Sequence, residues 1–306
     1  MKILIIGLGS IARKHITAIR LIEPNSVIYA LRSSSPASLE DGVINIYSLG
    51  EVPVSLDFII IANPTKFHEV SIMQCLDFNI PLFIEKPVLS DLANADRLVK
   101  EISRKALITY VACNLRFHPA IQYLRKYIEE KNPRINEVNI YCGSYLPDWR
   151  ADRDFREIYS IDPEMGGGVH LDLIHELDYC KWIFGTPDKI KSIKSSNSSL
   201  NIEAMDYAQF NYFYQNFVAN IKLNYYRRDT KRVIEMITDE ETLEVDLIKN
   251  RIVGMFSGKV YFEIPFQIAD TYLSQMQYFM DCIREDIQPM NGIEEGIEAL
   301  KIALYE

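Results

Sequence analysis

In a chain of 306 residues with only five histidines, two of them fall in the stretch "EMGGGVHLDLIHELDY", residues 164 to 179. Asp172, His175 and Asp178 recur at every third position, so one continuous helix would set them along a common face. Leu171, Ile174, Leu177 and Tyr179 would then supply the packing side. A neutral imidazole beside carboxylates can move a proton near neutral pH. The same face with His170 could instead hold a metal, or simply satisfy itself as a polar helix. His170 stands five residues from His175, off the i, i+4 spacing that brings two helical ligands together, so no metal is expected. The glycines at 166 to 168 mark a flexible or closely approached helix start.

A second group of candidates lies at the other end of the chain. "GLGSIA" follows an apolar run and opens a helical one, with Gly7, Gly9 and Ala12 in a GxGxxA pattern and Ser10 and Ile11 between them. Gly7 permits a tight turn, Gly9 lets backbone approach a pyrophosphate, and Ala12 allows close helix packing. An NAD site commonly carries an acid about 20 residues further on, at the end of the second strand. Here that position reads "YALRSSS", with no carboxylate before Glu40. Arg32 followed by Ser33, Ser34 and Ser35 suits a 2′-phosphate, which favours NADP with NAD as the alternative. "ANPTKFH" places Asn63, Pro64 and His68 after another apolar run, and "IEKP" places Glu85, Lys86 and Pro87 after the next. A lysine on an apolar strand end beside proline suggests a directed side chain, and Lys86–Pro87 is a candidate cis bond.

These residues need a frame that presents strand ends. "KILIIG", "SVIYALR", "DFIIIAN", "PLFIEKP" and "ALITYVACN" read as buried strands, with amphipathic helices at "IARKHITAIRLI", "HEVSIMQCLDF" and "LANADRLVKEIS" between them. That alternation predicts an N-terminal doubly wound parallel sheet, the α/β pattern whose ligands sit at the carboxyl ends of the strands. After about residue 117 the pattern changes to a helix, "AIQYLRKYIEEK", a strand, "INEVNIYCGSY", the glycine-triplet helix, and then a series of aromatic and β-branched strands from "YAQFNYFY" to "KVYFEIP". Short turns between these predict a C-terminal α+β domain with an open, largely antiparallel sheet. Helices near 270–286 and 293–304 close the chain. The expected division is 1–117 for dinucleotide binding and 118–306 for substrate binding and oligomerisation, with the last helices free to pack back on the first domain.

Bulk composition narrows the classes. Hydrophobic residues make up 48% and charged residues 25%, ordinary for a full globular core. A net charge of −9 argues against nucleic acid as a partner. Five scattered cysteines without a CxxC pair suit a reducing compartment, and no apolar run reaches membrane-span length, so a cytoplasmic location is expected.

Taken in order, "GLGSIARKH", "NPTKFH", "EKP", "NLRFHP" and "GGGVHLDLIHELDYCKWIFG" resemble the Gfo/Idh/MocA oxidoreductases, a group that includes glucose–fructose oxidoreductase and inositol dehydrogenase. The resemblance covers roughly residues 1 to 187. It implies a nicotinamide over the carboxyl edge of the parallel sheet with Glu85, Lys86 and Pro87 beside it. By motif position Lys86 matches the catalytic lysine, Asp172 a substrate-binding aspartate and His175 the acid–base histidine. Asn114 and Arg116 match a segment lining the cofactor and substrate cleft. It also implies a homo-oligomer, a dimer or tetramer, through the second sheet. Of the remaining histidines, His15 and His68 are expected to cap or pack more than to react.

The segment "SYLPDWRADRDFREIYS", residues 144 to 160, offers substrate contacts through Trp149, Arg150 and Arg156, alongside Asp148, Asp152, Asp154, Arg153 and Tyr159. Aromatic rings with carboxylates suit sugar faces and hydroxyls, and arginine suits a carboxylate or phosphate. A sugar, sugar acid or nucleotide-linked sugar is the expected substrate, such as a surface-glycan precursor. Two alternatives stand beside an oxidoreductase: a nicotinamide-dependent glycoside hydrolase, and a non-catalytic dinucleotide-sensing protein.

Overall fold

The computed structural model describes residues 1–33, 40–52, 55–150 and 154–306; Ser34, Ser35, Asp152 and Arg153 lie outside them. The chain forms two compact units, Met1–Asn114 with Ala269–Leu300, and Leu115–Ile268 with Lys301–Glu306. None of the helices among the described residues is long and apolar enough to cross a membrane.

In the first unit the elements run β1 (Lys2–Ile6), α1 (Ser10–Ile22), β2 (Val27–Leu31), β3 (Val43–Ile46), β4 (Phe58–Ile61), α2 (His68–Cys75), β5 (Leu82–Ile84), α3 (Ala95–Arg104) and β6 (Thr109–Val111). The six strands are all parallel, in the order β3-β2-β1-β4-β5-β6. Ile3 to Ile5 and Phe58 to Ile61 are fully buried, which is why their sequences are unbroken apolar runs. The winding reverses between β1 and β4, so the connections that follow them leave to opposite faces and frame a crevice at the carboxyl edge. β3 was not legible as a strand: "VINI" is short and sits at the sheet edge, where burial imposes little pattern.

The second unit holds α4 (Pro119–Lys131), β7 (Ile135–Tyr145), α5 (Val169–Asp172), α6 (His175–Phe184) and the strands β8 (Lys189–Ser195), β9 (Tyr207–Phe213), β10 (Val218–Asn224), β11 (Tyr226–Thr238), β12 (Thr242–Asp246), β13 (Arg251–Gly254) and β14 (Val260–Glu263). Its eight-stranded sheet has the order β14-β13-β12-β11-β7-β10-β9-β8. Every pairing is antiparallel except β7 with β10. β8, "KIKSIKS", is a further strand that escaped notice, because lysine and serine on an edge mask its alternation.

Two helices follow, α7 (Ala269–Glu285) and α8 (Ile293–Ala303). α7 belongs to the core of the first unit. Its Phe279 ring lies 5.4 Å from both Phe58 and Phe83, edge-on to each, and 5.9 Å from Tyr110. Phe279→Ala should therefore lower the hydrogen-exchange stability of the β1 and β4 amides by about 3–5 kcal/mol. Unchanged protection there would show that α7 is not part of that core.

Candidate active site

At the end of β1 Gly7 has φ +86°, and a Cβ on it would stand 2.7 Å from Asn63 Cα at the end of β4. Only glycine lets the two central strand ends meet this closely. Two residues on, a Cβ at Gly9 would meet nothing within 4 Å, so the backbone there is open to a ligand. Helix α1 starts at Ser10 and Ile11 with no side-chain cap and no acidic residue in its first turn. Its N-terminal dipole thus favours an anion. Asn63 donates from Nδ2 to Ser71 Oγ at 2.8 Å, while its Oδ1 is buried with no partner among the described residues. An open glycine turn, an uncapped helix start and a buried acceptor without a donor fit a dinucleotide at this crevice. Pro64 leads the chain from here into the turn Thr65–Phe67 before α2.

At the end of β2, Arg32 Nη1 donates to Asn45 Oδ1 at 3.1 Å, which holds the guanidinium at the strand terminus beside the exposed Ser33. Glu40, the first carboxylate after the strand, is paired with Arg13 of α1 at 2.8 Å.

Lys86 follows β5 and is half-buried, and the Lys86–Pro87 bond is cis. Three residues expected at the cofactor have partners within the chain. Glu85 is buried, with Oε1 2.6 Å from His15 Nε2 and Oε2 accepting the Lys86 backbone N–H at 3.1 Å. His68 faces carbonyl oxygens on both sides, Asn63 at 2.9 Å and Pro87 and Val88 at 3.0 and 3.3 Å. Burial depresses its pKa and keeps the ring neutral. Asn114 donates to Thr271 Oγ1 of α7 at 2.6 Å, with both groups buried.

In the second unit the segment around Asp172 and His175 departs from expectation. It is not one helix: α5 ends at Asp172, the chain turns at Leu173 (φ −99°, ψ 32°), and α6 begins at His175. Asp172 and Asp178 consequently serve different partners. Asp172 is buried and accepts from Tyr159 at 3.1 Å on Oδ1 and from Tyr225 at 2.6 Å on Oδ2. Burial and then the Asp172 carboxylate push the Tyr225 hydroxyl far above its usual range, so it remains a donor. His175 stands half-buried at the first turn of α6.

The glycine triplet makes this geometry possible. Gly166 and Gly168 have φ of +83° and +126°. A Cβ on Gly167 would fall against the Tyr159 carbonyl oxygen and 2.7 Å from Ser160 C. Close approach, not flexibility, is its function, and it brings Tyr159 within reach of Asp172. Tyr225 was missed because "NYY" gives only a strand signal; nothing in its spacing reveals which carboxylate it meets.

Arg116, expected to meet substrate, is paired with Asp178. Its Nε and Nη2 donate to Asp178 Oδ2 at 2.9 Å and Oδ1 at 2.6 Å, with both side chains almost fully buried. A second pair, Glu176 with Arg232 of β11 at 2.6 and 3.0 Å, pins α6 to the sheet and was not foreseen. Trp149 packs edge-on to Tyr225 at 5.3 Å and donates to Ser144 Oγ at 2.9 Å, so it supports Asp172 through Tyr225. Arg150 and Arg156 are exposed. Arg156 lines an open cavity of about 560 Å³ with Tyr159, Asp162, Met165, Asn201 and Glu203. Among the described residues no three His, Cys, Asp or Glu side chains converge as a metal site.

A model of the oxidoreductase family with the NAD-binding Rossmann fold, GFO_IDH_MocA, matches residues 1–113. The myo-inositol 2-dehydrogenase of Thermotoga maritima is 23% identical over 98% of this chain and 93% of its own length. Among solved structures, the UDP-N-acetylglucosamine 3-dehydrogenase of Acidithiobacillus ferrooxidans superposes with a TM-score of 0.80 at 20% identity, covering 99% of this chain and 95% of that one. The WlbA dehydrogenase of Bordetella pertussis, in complex with NADH and UDP-GlcNAcA, gives 0.80 at 18% identity over 100% and 94%. These structures share the fold. Residues 1–113 thus match the NAD-binding Rossmann fold of the Gfo/Idh/MocA oxidoreductase family, and the chain as a whole is similar to dehydrogenases.

Two outcomes follow for the second unit, which holds both tryptophans, Trp149 and Trp182, and is therefore read by tryptophan fluorescence. Arg116→Met strands a buried carboxylate and should cost about 3–5 kcal/mol, most of it recovered in the Arg116→Met/Asp178→Leu pair. Equal loss in single and double variants would contradict the ion-pair account. Burial depresses His118 and His170 to about 4, against 6.5 for a free histidine. The unfolded chain therefore binds more protons between these values, and stability falls as pH drops from 6.5 towards 4. Each ring adds about 1.4 kcal/mol per pH unit, so His118→Gln should remove one such share of the urea-unfolding slope. An unaltered slope would place the proton uptake elsewhere.

Proposed function

We propose that this protein is an NADP-dependent dehydrogenase or reductase acting on a secondary hydroxyl, or the matching ketone, of a sugar, sugar acid or nucleotide-linked sugar. The observation that carries this is the presentation of Lys86 at the carboxyl edge of the parallel sheet, on the strand next to the one that ends at Asn63 and the Gly7 turn. The dehydrogenase names of its inositol and UDP-N-acetylglucosamine relatives support this over a glycoside-cleaving or purely sensing protein.

Gly7, Gly9, Ser10 and Ile11 would receive the pyrophosphate, and Asn63, whose Oδ1 has no partner among the described residues, the nicotinamide half. Bound there, the nicotinamide supplies or accepts the hydride. The Lys86 ammonium steadies the substrate oxygen as negative charge develops on it. His175 takes the hydroxyl proton in oxidation and returns it in reduction. Asp172 accepts a hydrogen bond from a neighbouring ring hydroxyl while Tyr225 holds its other oxygen. Arg150 and Arg156 offer guanidinium groups to an acidic or phosphorylated arm of the substrate.

For the adenosine end, Arg32 held by Asn45 supports a 2′-phosphate, because no carboxylate stands between Val27 and Glu40 and Glu40 is engaged by Arg13. A homo-oligomer in the cytoplasm completes the proposal; the five cysteines are free and buried, as suits a reducing compartment.

Titration followed by nucleotide fluorescence should show tighter binding of NADPH than of NADH. Arg32→Ala should weaken NADPH by about 10–100-fold, the worth of a charge-assisted contact, with little effect on NADH. Equal affinities in the parent protein would reject NADP. Once a polyol or nucleotide-sugar panel yields turnover, Lys86→Ala should reduce it by about 10²–10³-fold; retained turnover would remove Lys86 from the chemistry.

A further inference from the structure

Two buried histidines hold the backbone around Lys86, and neither has a part in the proton or hydride steps above. His15 lies on α1, the helix that starts immediately after Gly9. Its ring is fully buried, edge-on to Phe83 at 4.8 Å and to Tyr272 at 6.1 Å. Nε2 is 2.6 Å from Glu85 Oε1, whereas Nδ1 is buried with no partner among the described residues. A buried N–H with no acceptor is rarer and costlier than a bare lone pair, so the network assigns the ring proton to Nε2, donated to the carboxylate. The other carboxylate oxygen of Glu85 accepts the Lys86 N–H. At the start of α2, His68 lies between the carbonyls of Pro87 and Val88 on its Nδ1 side and that of Asn63 on its Nε2 side, and the neutral ring donates its one N–H to one of these sides. The segment 85–88 is thereby tied to α1 through His15 and lies against the buried His68 ring.

We propose that His15 is a positioning residue for Lys86. Through Glu85 it links the first helix, whose N-terminus would receive the dinucleotide phosphates, to the peptide that carries the lysine. Occupancy at Gly9 and the setting of the Lys86 ammonium are in this way one mechanical unit, with the His68 ring packed beside it. The inference rests on the reading of Lys86 given above, and it concerns how that lysine is held, not whether it reacts.

Histidine could also be there for bulk alone, and two substitutions separate the cases. His15→Leu keeps apolar volume and removes the donor. His15→Gln keeps an N–H donor at about the reach of Nε2. The reporter is the Lys86 amine itself, converted to its ¹³C-dimethyl form by reductive methylation and assigned by the resonance lost in Lys86→Arg. Spectra are recorded with and without saturating NADPH. The proposal expects the Lys86 signal of the parent protein to shift with NADPH. In His15→Leu it should move towards the exposed lysines and lose that response, and in His15→Gln both should return. A parent signal blind to NADPH, a His15→Leu signal that matches the parent in both states, or a His15→Gln signal like that of His15→Leu overturns it. Should His15→Leu fail to fold, Glu85→Gln gives the same reading, because a carboxamide cannot accept from both His15 and the Lys86 N–H. Lys86→Ala turnover tests the role of the lysine separately, so either idea can fail without the other.

Discussion

At Gly7 there is no room for a side chain, and the first unit is organised around that fact. A Cβ would lie 2.7 Å from the backbone of Asn63, so the two strands flanking the reversal of the sheet end in direct contact. The close approach sets the start of α1 beside the β4 end, and it leaves Gly9 open above them. Everything assigned to dinucleotide binding follows from this meeting of two strand ends: an uncapped helix N-terminus, a buried amide oxygen without a donor among the described residues, and a neighbouring strand followed by lysine. A methyl group at Gly7 would separate β1 from β4 before it touched any ligand.

The second unit uses the same device for a different end. Gly167 lets the chain at Tyr159 and Ser160 cross the start of α5 at a distance no other residue permits, and Tyr159 arrives at Asp172 in consequence. Tyr225 closes on the other carboxylate oxygen from the sheet side. Asp172 is therefore a buried acceptor held by two phenols. The nearby charges Asp178 and Glu176 are fully occupied by Arg116 and Arg232, and they serve to fix α6 under His175.

Much of this was legible in the sequence wherever a local rule was at work. The glycine turn, the buried strands and the lysine after "IE" announce themselves through backbone sterics and unbroken apolar runs. What escaped detection depends on contacts distant in the chain. Asp172, His175 and Asp178 have helical spacing, yet the helix breaks at Leu173, because Asp172 answers to Tyr159 and Tyr225 while Asp178 answers to Arg116. Arg116 was expected at the cleft only through the resemblance of "NLRF", and its pairing with Asp178, 62 residues away, has no local signature. The edge strands β3 and β8 were passed over because a sheet edge imposes too little burial to write a pattern into four or seven residues.

The most direct test of the central claim, that the carboxyl edge at Gly9, Asn63 and Lys86 is the nicotinamide-dinucleotide site, is a backbone amide NMR titration with NADPH. The account predicts that the largest shifts fall on Gly9, Ser10 and Ile11, on the Asn63 turn and on Lys86, with the β3 edge and the strands of the second sheet little changed. Shifts centred away from those three segments, or none at saturating nucleotide, would contradict it.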